Sequence, residues 1–173
     1  QTRYFMMREL PFGNDGNFSH TAMVNRMNSD LANDFGNLAQ RVLSMINKNC
    51  DGMVPTPGLL TVDDSALLVP ARELLVTMRE HIDVQAIHHS LAALWDVVGE
   101  ANRYVDSQAP WALKKTDPER MATVLYVLAE VIRHLAILAQ PVVPEAAGKM
   151  LDQLAIAEDQ RSFAALAEDG MLR

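Results

Sequence analysis

With 173 residues, 49% of them hydrophobic and only 8 Gly and 8 Pro, the chain can bury one real core and is neither disordered nor low in complexity. Its one cysteine, Cys50, excludes an internal disulfide and a cysteine-cluster metal site, and it fits a reducing compartment. The formal net charge of −7 argues against a sequence-blind nucleic-acid binder, which needs a broadly basic surface, but leaves room for a small site with a few local positive charges.

The apolar set is mostly Leu, Ala, Met and Val, with 6% aromatics, which favours helix over sheet. No apolar run approaches about 18 residues and no charged-then-apolar leader opens the chain, so a soluble, cytoplasmic protein without membrane partners is expected. Tyr4, Phe5, Met7 and Arg8 read as the tail of a helix. The stretch Leu10-Pro11-Phe12-Gly13-Asn14-Asp15-Gly16-Asn17-Phe18 breaks it with proline, glycine and turn formers. Ser19 is an N-cap for a helix through Ala22, Met23, Arg26 and Met27. A bend or break is expected at Asn28-Ser29-Asp30, then helix to about Lys48.

In that helix Leu31, Phe35, Leu38, Val42, Met45 and Ile46 recur at spacings of three and four, one apolar stripe. Asn33, Asn37 and Arg41 recur every four residues and form a second, polar stripe. Amides and a guanidinium suit flat, multi-edged partners such as nucleobases, but by themselves they also describe a solvated helix face.

Asn49 to Gly58, with two Pro and two Gly, is a loop, and Leu59 to Leu68 is ambiguous. Asp63 or Asp64 can cap a helix through Ala71, Leu74, Leu75 and Met78, ending near Ile82, and Asp83 can cap the next, from Val84 to Val105. Gln108-Ala109-Pro110 stops that helix, because proline disfavours helix at the residue before it. Trp111 to Thr116 reads as a loop or single turn. Asp117-Pro118-Glu119 starts a helix running from Met121 to Gln140. Arg133 and His134 are expected on its exposed side. Pro141-Val142-Val143-Pro144 leads into a last helix from Glu145 to about Ala155, and Ala157 to Arg173 is an irregular tail. The sum is an all-α bundle of five or six helices, with 1–18 as a connecting segment, 19–156 as the domain proper and 157–173 as a tail.

Catalytic and metal patterns are wanting. His20, His81, His88, His89 and His134 show no HExxH or comparable spacing and read as surface or boundary residues; the adjacent His88 and His89 are expected to point apart. Phosphate-cradling glycine motifs are absent, so neither a catalytic residue nor a metal ligand is assigned. Trp111 stands out: it follows Ala-Pro between two long helices, close before Lys114 and Lys115. It is either a lid on the bundle or a platform on which an unpaired base stacks, for about 1–3 kcal/mol. In the second case Lys114, Lys115 and Arg103 can meet phosphates. Trp95, among Leu91, Leu94 and Val98, reads as core.

Arg3-Tyr4-Phe5-Met6-Met7-Arg8-Glu9-Leu10-Pro11-Phe12-Gly13 onward resembles the segment by which bacterial methionyl-tRNA synthetases leave their catalytic domain. The stretch Asn28-x-Asp30-Leu31-Ala32-Asn33-x-x-Gly36-Asn37-Leu38-x-x-Arg41 resembles the first long helix of that family's anticodon-binding domain, and Gln108-Ala109-Pro110-Trp111 its stacking loop. The resemblance covers nearly the whole chain. It implies recognition of the CAU anticodon of initiator and elongator methionine tRNAs by Asn37 and Arg41, with Trp111 stacking on the first anticodon base and Pro110 shaping its loop. Asp106 matches a position linked to rejection of wrong anticodons, and Asn33 has no counterpart role. The family's HIGH and KMSKS motifs are absent. ATP and Mg2+ are therefore implied for an intact ligase, and this chain is expected to be inactive without its catalytic domain. The alternative from another class is a helical module whose Met-rich surface docks a protein. The location of Trp111 discriminates: buried in the bundle favours the protein module, exposed beside Asn37 and Arg41 favours RNA.

Overall fold

The computed structural model describes residues 1–16 and 18–167. The architecture is all-α, as the periodicity predicts, with no strand among the described residues. Helix α1 (Thr2–Glu9) packs by the buried Tyr4 and Phe5. After the turn region come α2 (His20–Arg26), a π-helical stretch (Met27–Gly36) and α3 (Asn37–Asn49). Helix α4 (Val62–Asp83), α5 (Ile87–Gln108), the short α6 (Pro110–Thr116), α7 (Pro118–Ala139) and α8 (Pro144–Gln153) complete the bundle. A 3-10 turn (Glu158–Gln160) and α9 (Ala164–Ala167) follow, and the rest of the predicted tail, 168–173, lies outside the described residues.

Helix α7 is the axis of the core. Every residue from Thr123 to Ala139 is buried, and α3, α4, α5, α6 and α8 all pack on it. By length and composition it could cross a bilayer, but 94% of its most apolar window is buried inside the protein. A helix that is apolar all round belongs in a core, where each buried Leu or Ile contributes about 1.5–3 kcal/mol.

This burial corrects the reading of Arg133 and His134 as exposed: they are 5% and 4% accessible. Both find polar partners one turn back in the same helix. Arg133 donates from Nε (3.0 Å) and Nη2 (2.7 Å) to the buried Glu130 carboxylate, and His134 Nδ1 lies 3.0 Å from the Glu130 carbonyl. A buried ion pair is tolerated only when bonded in this way. His88 and His89 also differ from expectation, since their ring centroids lie 4.0 Å apart in the first turn of α5.

The expected break at Asn28-Ser29-Asp30 does not occur. Helical backbone runs from His20 to Asn49, and Met27 to Gly36 is wound as a π-helix, with the Asn37 N–H reaching back to the Ala32 carbonyl. The Asp30 carboxylate is taken up by a distant partner, Tyr4, and by Arg26 one turn back. Tyr4 Oη donates to Asp30 Oδ2 at 2.5 Å, and Arg26 Nη1 does so at 3.4 Å. Asp83 likewise ends α4 rather than starting α5. Gln85, at φ +59°, closes α4 by donating to the Ile82 carbonyl, and Ala86 donates to His81, a Schellman arrangement. Of the two readings of Trp111 to Thr116, loop or single turn, the helical one is closer: Pro110 supplies a preformed first position for a 7-residue helix.

Gly36 closes the π stretch with ordinary helical angles, so positive φ is not its reason. A Cβ there would meet the Leu31 carbonyl oxygen at 2.9 Å, a backbone atom that cannot swing aside. In a regular helix Gly→Ala gains up to about 1 kcal/mol. Here the clash should reverse the sign. Gly36→Ala is expected to destabilise the fold by about 1–3 kcal/mol and lower the Tm by several degrees in a thermal melt. A raised Tm would show that the close approach does not constrain the winding.

Candidate nucleic-acid interface

The side chains at issue come from three elements: α3 for Asn37 and Arg41, α5 for Asp106, and α6 for Pro110 and Trp111. Helix α5 is seated against the π stretch and α3 by polar contacts along one face. Trp95 Nε1 donates to the Asp30 carbonyl (3.1 Å), and Asn102 Nδ2 donates to the Asp34 carbonyl (3.2 Å). One turn beyond Asn102, Asp106 Oδ1 accepts from Arg41 Nη2 at 2.5 Å. Trp95 is core, as its spacing predicts, with its ring 4.7 Å from that of Tyr4.

Trp111 is 53% exposed, and the Arg41 guanidinium carbon lies 5.8 Å from its ring centroid, within cation–π range. Asn37 is exposed one turn ahead of Arg41 on the same face of α3. Asn33 is also exposed, further back in the π stretch. Pro110 is buried and anchors the start of α6, while Ala109 before it adopts φ +43°, ψ +60°. Left-handed backbone at a residue with a Cβ costs about 1–2 kcal/mol. That cost produces the sharp elbow that turns the indole back toward α3.

Arg41 commits one N–H to Asp106, and its planar fork retains further donors. An exposed indole face, a guanidinium and an amide on rigid helices can stack a flat base and bond its edges. Lys114 and Lys115 are exposed in the last turn of α6. Arg103 is not brought to this cluster. It pairs with Glu100 at 2.6 Å and lines a shallow cleft with Asp63, Leu67 and Tyr104 on the α4 side of α5.

A second constellation, which sequence reasoning missed, sits beneath the elbow. The Asp64 carboxylate is fully buried and accepts both Arg120 Nη atoms (2.6 and 2.7 Å), the Tyr104 hydroxyl and the Thr61 N–H (2.8 Å). Arg120 Nη2 also donates to Gln108 Oε1 at 2.7 Å. Only part of this was signalled. Thr61-x-x-Asp64 is a capping box at the start of α4, a pattern visible in the sequence, whereas nothing local marks Arg120 as the partner 56 positions away.

A family model described as the anticodon binding domain of methionyl tRNA ligase matches residues 54–170. The chain belongs to that anticodon-binding family. A second model, of class I tRNA synthetases (M), matches residues 1–43. Asp106, Pro110 and Trp111 thus fall in the anticodon-binding match, and Asn37 and Arg41 in the synthetase match. The chain is 58% identical over 164 residues to a methionine–tRNA ligase of Brucella suis, covering 95% of this chain and 32% of that protein. It is likewise 58% identical over 172 residues to the methionine–tRNA ligase of Rhizobium meliloti, covering 99% and 33%. Among solved structures, Mycobacterium tuberculosis methionyl-tRNA synthetase in complex with methionyl-adenylate superposes with a TM-score of 0.93 at 53% identity, over 95% of this chain and 33% of that one. The chain spans about a third of the length of the relatives it matches.

In this anticodon-binding domain the buried carboxylate carries a pH dependence. Burial pushes the Asp64 carboxyl up, but the bonds from Arg120, the Thr61 backbone and Tyr104 outweigh it and hold the group at about 2. Burial and the same carboxylate push the Tyr104 hydroxyl above its usual range. A carboxyl with a depressed folded-state value stabilises fully above its unfolded value, about 3.9, and loses that contribution as pH falls through the folded value. Asp64 should therefore contribute on the order of 2 kcal/mol at neutral pH, lost between about pH 4 and pH 2. Asp64→Asn should lower neutral-pH stability and flatten this acid limb in denaturant titrations. An unchanged acid limb would remove Asp64 from the account.

Proposed function

We propose that this chain reads the CAU anticodon of initiator and elongator methionine tRNAs, as the tRNA-binding part of an ATP- and Mg2+-dependent methionine–tRNA ligase of the cytoplasm. Residues 19–156 are the reading domain, 1–18 connect it to the catalytic part of the ligase, and 157–173 form a tail. The observation that carries this reading is the half-exposed Trp111 ring beside Arg41, two residues brought together from distant parts of the chain. An indole buried in the bundle would have favoured a protein-docking module instead.

Trp111 stacks on the first anticodon base, and Asn37 and Arg41 bond base edges from α3. Pro110 sets the elbow. Asp106 holds Arg41 in place and presents a carboxylate that repels bases offering acceptors where the cognate offers donors. Lys114 and Lys115 meet backbone phosphates; Arg103, held by Glu100, has the weakest claim to such a role. With a net charge of −7, affinity comes from stacking and edge contacts more than from counterion release.

Stacking worth about 1–3 kcal/mol corresponds to roughly 5- to 150-fold in affinity. Trp111→Ala in the intact ligase should raise the KM for tRNA by that range. ATP-dependent activation of methionine should stay at the parent rate, since no part of that chemistry passes through α6. Unchanged aminoacylation kinetics would overturn the site.

A further inference from the structure

Gln108 ends α5 and Arg120 sits in the first turn of α7, 12 residues on. The whole of α6, with Trp111, lies between them. The 2.7 Å bond from Arg120 Nη2 to Gln108 Oε1 therefore closes the base of the segment that presents the indole. Arg120 is itself immobilised, with both Nη atoms on the buried Asp64 carboxylate, whose other partners are Tyr104 and Thr61. The Gln108 amide is tied on its other side, Nε2 donating to Asp63 Oδ2 at 3.3 Å. Directly after Gln108 comes the left-handed Ala109, a conformation that persists only where its surroundings over-determine it.

We propose that Gln108 and Arg120 are positioning residues for tRNA recognition: their hydrogen bond locks the α5–α6 elbow and so fixes the Trp111 ring opposite Arg41. The inference rests on the stacking role proposed above for Trp111. The two residues divide the work. Arg120 also joins α4 to α7 through Asp64, so its loss would weaken the fold. Gln108 adds the link across the elbow and one exposed bond to Asp63, and the Asp64–Arg120–Tyr104 bonds remain when its amide is removed. Gln108 is therefore the residue whose replacement isolates the effect. A misaimed indole forfeits stacking even when the bundle is intact, since stacking depends on ring orientation.

The test uses Gln108→Leu and Gln108→Glu in the intact ligase, each alone and combined with Trp111→Ala, with KM for tRNA and kcat measured separately. Leu keeps the bulk but loses the acceptor, whereas Glu keeps an acceptor for Arg120. Gln108→Leu is expected to raise the tRNA KM by about tenfold with kcat within about twofold, the scale of one lost, well-aligned contact. Gln108→Glu should restore part of that loss, since its carboxylate still accepts from Arg120 but meets Asp63 where the amide donated. In the Trp111→Ala background Gln108→Leu should add nothing, because the ring it positions is gone. A Gln108→Leu enzyme with parental KM, beside a Trp111→Ala enzyme with raised KM, would overturn the positioning role alone. So would an equal effect of Gln108→Leu with and without Trp111. An inert Trp111→Ala would instead overturn the stacking reading, and this inference with it.

Discussion

The register between α3 and α5 is the constraint on which the rest depends. It is set by side-chain donors on one face of α5: the Trp95 indole on the Asp30 carbonyl and the Asn102 amide on the Asp34 carbonyl. Both acceptors lie in the π-wound stretch. Sliding α5 by one residue along the π stretch would forfeit both bonds, and leaving the buried Trp95 donor without its acceptor alone costs about 1–3 kcal/mol. Because Asp106 lies one turn beyond Asn102, the same register brings its carboxylate to Arg41. The π winding sets the rotational phase at which Asn37 and Arg41 leave the core stripe. Gly36, with no room for a Cβ, marks where regular helix resumes.

Stability and the proposed recognition are carried by different parts of the molecule. The core around α7 supplies the stability. The Arg41–Asp106 pair is mostly solvent-exposed on the Asp106 side and contributes no more than about 1 kcal/mol. Its value is geometric, since it holds a guanidinium beside the indole before any ligand arrives. Pre-organisation of this kind reduces the ordering cost at binding. An acidic domain has particular need of it, having little general attraction for a polyanion.

Much of the fold was legible because long helices announce themselves through period and caps. Leu38, Val42 and Ile46 in α3, Leu91 to Val105 in α5 and the run of α7 all fall where the pattern puts them. The misreadings have two causes: a tertiary partner that no local window contains, and local pairing or capping that outweighs the simple pattern. Asn28-Ser29-Asp30 looked like a bend or break, but the helical backbone continues and the Asp30 carboxylate is claimed by Tyr4. His134 and Arg133 looked like a solvent face, but Glu130 one turn back makes their burial possible. Asn33, Asn37, Arg41 and Trp111 could be singled out as a polar stripe and an indole between helices, and the family resemblance narrowed that set to Asn37, Arg41 and Trp111. Asn102, Gln108 and Arg120 could not, since each is an ordinary helix residue until its distant partner is known.

The central claim is that α3 and α6 form one base-reading surface. Its most direct test is a titration of the ligase with a fluorescently labelled methionine-tRNA anticodon stem-loop, against a stem-loop with a changed anticodon, at several salt concentrations. The account predicts tighter binding of the cognate loop, with a preference that persists as salt rises and is lost in Trp111→Ala. Equal binding to both loops, falling together with salt, would contradict it.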